Sequence, residues 1–216
     1  MAIERMLTVE AYDDFPNLAL VSSTYKNTGA ADFQIDQVLM QQHRFNNHEV
    51  KEHPYDMWSF QGSSYNWGED DVQRLTRTSA QPNRMGEMVK GGYGGGIPVV
   101  AFWTAAVGEA IGHVETLPWT LSMPVKVETD GLVAASVAVP ANTLLKPGES
   151  YSTPRSFVAV YRGDCYEPLR LWSSVLQKEG WEIPRPSNEA YNVAWCGWGY
   201  EFNVTPKQML GTVPKL

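Results

Sequence analysis

Two segments of the sequence place tryptophan, tyrosine and glycine next to polar and acidic residues. The first, MWSFQGSSYNWGEDD, spans residues 57–71, and the second, WCGWGYEF, spans residues 195–202. Flat aromatic side chains edged by hydrogen-bond donors can hold a sugar ring, which has an apolar face and many hydroxyl groups. Both segments are therefore candidates for carbohydrate binding.

The tryptophans differ in their expected surroundings. Trp58 and Trp103 lie inside candidate strands, so we expect them to be core residues. Trp67, Trp195 and Trp198 lie on apparent loops or strand ends. For these three, core packing and sugar contact both remain open.

An acidic triplet closes the first segment. Glycosidases use two carboxyl groups, about 5 Å apart in retaining enzymes and farther apart in inverting ones. Glu69, Asp70 and Asp71 supply acidic groups close together, although a solvated acidic loop is the ordinary explanation for such a triplet.

Other chemistries lack their motifs. The glycine-rich run GGYGGGIPVV, residues 91–100, has neither the Lys-Ser/Thr ending of a P-loop nor GxGxxG spacing, and it leads into a candidate strand instead of a helix. No GxSxG elbow is present. The histidines show no recognised metal spacing. His113 and Glu115 alternate on a candidate strand, and we expect a hydrogen-bonded structural pair. We expect no cofactor and no metal.

Composition limits the partners. The net charge is −7, and 43% of the residues are hydrophobic against 19% charged, which predicts a packed body and argues against a nucleic-acid partner. No apolar run approaches the roughly 20 residues that span a bilayer, and the first ten residues do not resemble a signal peptide. We therefore expect no membrane partner and a chain that is soluble as given. We expect the thiols of Cys165 and Cys196 to be free.

Period-two alternation dominates up to about residue 163 and predicts an antiparallel sandwich. The candidate strands are residues 6–12, 18–27, 33–45, 56–65, 97–105, 110–117, 121–129, 132–139 and 155–162. The dipeptide Asp130-Gly131 predicts a hairpin with a type I′ turn.

The pattern then changes to helical. Apolar residues at helical spacing predict one amphipathic helix over residues 168–179. Pro168 lies in its first turn, and Gly180 lies just past its end. After a Pro-rich connector, residues 190–198 read as a buried strand. A helix start follows, with Thr205 as N-cap and Pro206 at the first helical position. Strand, glycine-rich loop and helix make one βα unit, which cannot bury both faces of its strand alone.

The order of several landmarks resembles a known family. They are MWSFQGSSYNWGEDD, GGGIPVVAFW, AIGHVETLP, LKPGESYSTPRSFVAVYRGDCYEPLRLWSSVLQKEG and YNVAWCGWGYEFNVTPKQML. In this order they are similar to the alpha-galactosidase (melibiase) and raffinose-synthase-like retaining glycoside hydrolases, from about residue 8 to the end. The sandwiches of this family usually carry more strands before the position that corresponds to residue 8.

The resemblance implies a mainly β fold in two parts. Residues 1–182 would form an antiparallel β-supersandwich with one amphipathic helix, and residues 183–216 a linker and the first βα unit of a (β/α)8 barrel. The chain would then stop where the catalytic barrel begins. The catalytic aspartates of the family lie on later barrel strands, so the resemblance implies no catalytic residue in this chain.

The resemblance also implies a set of sugar-pocket residues. They are Trp195, Cys196, Gly197 and Trp198 at the end of the first barrel strand, with Trp67, Asp70 and Asp71 on a sandwich loop that reaches the barrel mouth. The implied partners are an alpha-galactoside-like carbohydrate and either a barrel-containing chain or further copies of this one. The alternative is a stand-alone carbohydrate-binding or assembly module without hydrolytic activity.

Overall fold

The structure is a computed structural model. It describes residues 2–45, 57–62, 71–85, 96–117, 119–182, 185–192 and 205–212. The chain divides into two compact units, Met1–Trp181 and Glu182–Leu216. No helix within the described ranges is long and apolar enough to cross a membrane.

The first unit is mainly β, as the alternating pattern predicts. Its strands are β1 (Ile3–Ala11), β2 (Leu18–Asn27), β3 (Phe33–Phe45), β4 (Trp58–Phe60), β5 (Val72–Arg74), β6 (Ala80–Gln81), β7 (Arg84–Met85), β8 (Val99–Trp103), β9 (Gly108–His113), β10 (Leu121–Ser122), β11 (Val125–Val127), β12 (Val133–Leu145), β13 (Ser150–Ser152) and β14 (Ser156–Tyr161). One helix, α1 (Tyr166–Lys178), follows them.

The strands form two antiparallel sheets. The eight-stranded sheet has the order β1-β2-β14-β9-β8-β4-β5, with β13 also paired to β2. The six-stranded sheet has the order β6-β11-β12-β10-β7, with β3 on the other edge of β12. Antiparallel sandwich architecture is therefore confirmed.

Two apolar cores cover the eight-stranded sheet on both faces. Val100 and Phe102 of β8 pack in the core that includes residues of the six-stranded sheet. Val99 and Ala101 pack in a second core with Val175 and other residues of α1. A strand buried on both faces is apolar throughout, which is why residues 99–102 show no alternation.

Helix α1 begins two residues earlier than predicted and ends one residue earlier, at Lys178. Pro168 is its third residue, which is still within the first turn, where the backbone N–H groups have no partner inside the helix. Gly180, at φ 90°, donates its N–H to the Gln177 carbonyl at 3.1 Å, and Trp181 donates to Leu176 at 2.9 Å. These two bonds form a Schellman motif, which ends the helix.

The hairpin between β11 and β12 exists, but the predicted type I′ turn is wrong. A type I′ turn needs positive φ at both central residues, whereas Gly131 has φ 84° and Asp130 does not share this conformation. The Gly131 N–H bonds to the Glu128 carbonyl at 2.9 Å, and the Glu128 N–H bonds to Leu132 at 2.8 Å. This is the three-residue hairpin loop in which only the last residue is left-handed.

In the second unit the described residues form a 3₁₀ helix, Asn188–Tyr191, and a helix α2, Pro206–Thr212. The prediction of a buried strand over residues 190–198 is therefore wrong at its start, because Ala190 and Tyr191 are helical and exposed. Residues 193–198 of that strand lie outside the described residues. The first βα unit of a barrel thus remains a prediction.

The predicted start of α2 is confirmed. The backbone N–H of Thr205 donates to the Gln208 side-chain oxygen at 2.8 Å, and the Gln208 N–H lies 3.4 Å from the Thr205 hydroxyl. This reciprocal pair is a capping box, which satisfies N–H groups at a helix start.

Candidate functional site

One of the predicted sugar-pocket residues lies in the described part of the chain. Trp67, Asp70, Trp195, Cys196, Gly197 and Trp198 are outside it. Asp71 is half-buried and immediately precedes β5. The predicted sugar contacts of all seven residues therefore stay predictions, and the structure describes the framework next to them.

The framework is the base of the β4–β5 hairpin at one edge of the eight-stranded sheet. The Gln61 N–H donates to the Asp71 carbonyl at 2.8 Å, so this bond closes the base of the acidic segment. The Ile97 N–H donates to the Gly62 carbonyl at 2.9 Å. The acidic segment and the end of the glycine-rich segment are therefore anchored beside each other.

A buried amide network lies under this base. The Asn83 side-chain NH₂ donates to the Gln61 side-chain oxygen at 2.7 Å and to the Met123 carbonyl at 3.0 Å, while the Gln61 NH₂ donates to the Ser59 hydroxyl. Gln61, Asn83 and Ser59 are each at most 1% exposed. Buried polar groups need such partners. The network joins β4 of one sheet to the segment between β6 and β7 of the other.

Asn83→Ala is expected to lower the free energy of unfolding by about 2 kcal/mol, since it leaves the buried oxygens of Gln61 and Met123 without this donor. Asn142→Ala is the matched control. Both asparagines have left-handed φ, 41° and 46°, but Asn142 is exposed. We expect the control to cost less than about 1 kcal/mol in urea denaturation. Equal costs for the two variants would show that backbone strain, and not the network, sets the effect.

Trp58 is not a core residue, contrary to the prediction from its position in a candidate strand. It is 42% exposed. Helix α1 packs on β8 and β14 and leaves this end of β4 uncovered. Its cross-strand partner Trp103 is half-buried against the core under α1. The Trp58 indole is therefore an accessible apolar surface at the same edge as the hairpin base.

The carboxylate of Glu179 is occupied by structural contacts. It accepts a hydrogen bond from the Tyr12 hydroxyl at 2.8 Å and lies 2.6 Å from the Arg155 guanidinium. Partial burial alone would raise the pKa of this carboxyl, but the hydrogen bonds from Tyr12 and Arg155 and the charges of Arg155 and Lys178 bring it below its ordinary value. A general acid needs the opposite shift, so Glu179 is held as an anion that fixes the end of α1.

The His113–Glu115 pair is structural, but it differs from the expected arrangement. Strand β9 ends at His113, and the contact runs from the Glu115 backbone N–H to His113 Nδ1 at 3.2 Å. The Glu115 carboxylate instead accepts the Arg155 backbone N–H at 2.6 Å. Burial lowers the pKa of His113 to about 4, against a smaller opposing effect of the Glu115 charge. His113 is therefore neutral at pH 7.

Other candidate sites also have structural descriptions. Cys165 is a free, buried thiol beside the start of α1, whose pKa is raised by burial, and Cys196 lies outside the described residues. Across the ranges that the structure describes, no three His, Cys, Asp or Glu side chains come together as metal ligands would.

The Gln61–Asn83 network is not predicted by the sequence. The available signal was the Pro82-Asn83 dipeptide, made of two residue types that favour turns, together with Gln61 directly after Phe60. Neither signal identifies the partner of the other residue, because they are 22 positions apart.

Comparison with known proteins gives one sequence relative. No protein-family model matches the chain. Over 123 residues, 56% of the chain, it is 27% identical to an A type blood alpha-D-galactosamine galactosaminidase of Flavonifractor plautii, of which the match covers 11%.

Comparison with solved structures also identifies glycoside hydrolases. The chain is similar to a GH36 alpha-galactosidase of Geobacillus stearothermophilus, with a TM-score of 0.51 and 17% identity over 74% of this chain and 22% of that one. It is also similar to an alpha-galactosidase of Lactobacillus brevis, with a TM-score of 0.56 and 11% identity over 82% and 23%. The chain thus spans less than a quarter of these enzymes. The comparisons confirm the resemblance to alpha-galactosidase-like glycoside hydrolases.

Proposed function

We propose that this chain is the N-terminal part of a retaining alpha-galactosidase-like glycoside hydrolase. Residues 1–182 supply fold support and pocket walls, and residues 183–216 supply a linker and the first βα unit of the barrel. The catalytic aspartates lie in barrel strands outside this sequence, on the same chain or on a partner.

The observation that carries this proposal is the coverage of the fold similarity. The described fold matches 74% to 82% of this chain but only 22% to 23% of each alpha-galactosidase. These coverages are expected if the chain is the sandwich portion of an enzyme whose catalytic barrel lies outside this sequence. The occupied carboxylate of Glu179 and the capped start of α2 agree with it.

The chemistry then divides between the two parts. In a retaining enzyme one carboxylate attacks the anomeric carbon and another carboxyl protonates the leaving oxygen, after which water releases the sugar. Barrel active sites lie at the C-terminal ends of the strands. Residues 195–198 would reach such a site from the first strand, and Trp67, Asp70 and Asp71 from the hairpin anchored by Gln61.

Turnover by the purified chain tests the location of the catalytic residues. We expect no release of nitrophenol from a nitrophenyl alpha-galactoside above the buffer rate. The enzyme that contains both this sequence and a barrel serves as the positive control. Turnover by the 216-residue chain alone would contradict the proposal.

A stand-alone carbohydrate-binding or assembly module is the second candidate, favoured by the exposed Trp58 indole. Native mass spectrometry of the source sample separates the two. A co-purifying chain, or a longer form of this one, that carries the remaining barrel strands supports the enzyme. A 216-residue species that binds sugar without any barrel supports the module.

Exposed apolar side chains in the second unit predict association. Tyr191 is 77% exposed, Leu210 71% and Met209 41%, and such clusters mark interfaces when they are contiguous. We expect sedimentation velocity to detect self-association or a partner complex that Leu210→Glu weakens. Lys207→Glu, a charge change on the same helix, is the control. A monodisperse monomer at all concentrations would contradict this prediction.

A further inference from the structure

The outer face of the six-stranded sheet contains an open groove of about 370 Å³. Strand register identifies the face. Ser136 of β12 lies opposite Gln42 of β3, and Lys126 of β11 lies opposite both Ala134 of β12 and Ala80 of β6. Directly opposite residues share a face. Their neighbours on these strands fill the core between the sheets, so these five residues point outward.

Side-chain size explains why this face is hollow. Ala134 of β12 lies beside Lys126 of β11, and Ala80 of β6 lies on the far side of Lys126. Ser136, also on β12, lies beside Gln42 of β3. The rings of Pro82 and Pro124 also line the groove. The floor is therefore built mostly from small and apolar residues, with the Lys126 side chain between Ala80 and Ala134 and the Gln42 side chain beside Ser136.

A β-bulge sets the position of Gln42. The pairing of β3 with β12 shifts between Leu39 and Gln41, so that Met40 has no partner. Gln41 consequently turns inward and donates to the Ser156 hydroxyl of the other sheet at 2.7 Å. Gln42 takes the outward position. Bulges often re-aim side chains in this way.

The polar groups of the groove are available, and its charges are balanced. Neither the Gln42 amide nor the Ser136 hydroxyl is engaged by another side chain in the part of the chain that the structure describes. The Lys126 ammonium lies 3.3 Å from the Glu128 carboxylate, which also lies 2.9 Å from Arg44. With these opposite charges paired, the described lining favours neither a phosphate nor a metal ion.

We propose that this groove is a binding site for a neutral saccharide. Its volume falls within the range of small-molecule sites, which combine an apolar floor with a few convergent polar groups. The alanine methyls and proline rings would contact the C–H face of a pyranose. Gln42, Ser136, Lys126 and Glu128 would exchange hydrogen bonds with its hydroxyls. This site lies on the six-stranded sheet, whereas β4 and β5 belong to the eight-stranded sheet, and it does not depend on the proposed function.

No aromatic side chain is among the described residues that line the groove, so we expect weak binding, with a dissociation constant on the order of 1 mM. The alanine methyls of the floor are direct reporters. In the full 216-residue chain labelled at alanine methyls, titration with galactose, N-acetylgalactosamine or glucose is expected to shift the Ala80 and Ala134 resonances saturably. Glycerol, an acyclic polyol, and inorganic phosphate are the comparison ligands.

Two variants locate the site. Ser136→Phe fills the floor and is expected to abolish the saturable shifts, while Gln42→Ala is expected to weaken binding by about fivefold through loss of one hydrogen-bonding group. Gln37→Ala, an exposed glutamine on the same strand outside the lining, is the matched control and leaves binding unchanged. Urea denaturation of each variant confirms that it is folded.

The outcomes are decisive in both directions. Saturable shifts from at least one sugar that are lost in Ser136→Phe and kept in Gln37→Ala support the site. The proposal is overturned if no sugar shifts these methyls, if glycerol or phosphate shifts them as strongly as the sugars, or if folded Ser136→Phe still binds. None of these readouts requires catalytic turnover, so failure here leaves the proposed function standing.

Discussion

Gly112→Ala is expected to lower the free energy of unfolding of the first unit by at least about 3 kcal/mol, near the upper end for overpacking a core. A Cβ at this position would lie 2.2 Å from the Pro98 carbonyl oxygen and 2.7 Å from the Phe157 ring. The ring has little space to retreat because Phe157 is fully buried. The carbonyl cannot move without disturbing β8, because it accepts the His113 N–H at 3.2 Å.

Gly29→Ala is the control for this substitution. Its Cβ would meet the Asn27 side-chain oxygen at 3.3 Å and no atom closer, so we expect a cost below about 1 kcal/mol. Urea denaturation followed by tryptophan fluorescence measures both variants. Similar midpoints for the two would mean that β8 and β9 are not packed as closely as the structure describes.

Acidification from pH 7 to pH 5 is expected to cost about 2 kcal/mol of stability through His113 alone. Burial of this imidazole lowers its pKa from 6.5 to about 4 in the folded chain. Between these values the unfolded chain binds a proton that the folded chain does not, so stability falls as the pH falls. The loss begins near pH 6.5 and is complete near pH 4.

His113→Asn tests this assignment. The asparagine oxygen can accept the Glu115 N–H that Nδ1 accepts now, but it does not titrate. We expect urea midpoints of the variant to vary less between pH 7 and pH 5 than those of the natural chain. The window excludes most of the effect of Glu179, whose stabilisation is lost as the pH falls from the ordinary pKa of a glutamate to the lower pKa of the folded chain. An unchanged pH dependence in the variant would disprove the role of His113.

Strands with an unambiguous pattern could be predicted to the residue. Those at 18–27 and 33–45 coincide with β2 and β3, because their length and β-branched or polar alternation leave no competing structure. The pattern over residues 121–129 predicts one strand, but this segment forms two, β10 and β11. The interruption contains Pro124, which has no N–H to donate.

Features that depend on distant residues could not be predicted. The exposure of Trp58 depends on how far α1 extends over the sheet, which local periodicity does not encode. The turn at Asp130-Gly131 depends on register against β12, and a dipeptide alone does not distinguish a two-residue loop from a three-residue loop. The groove follows from the pairing of four strands, so the small residues at 134 and 136 share one lining with Ala80 only once β11 has paired with both β12 and β6.

The position of β14 in the sheet determines when the sandwich can fold during synthesis of the chain. This last strand of the sandwich lies inside the eight-stranded sheet, between β2 and β9. During synthesis, β2 and β9 have no strand between them until β14 has emerged from the ribosome. Until then the apolar residues that pack against α1 remain exposed to solvent. The sandwich therefore closes late and through contacts far apart in sequence, a topology that folds slowly and benefits from protection against premature aggregation.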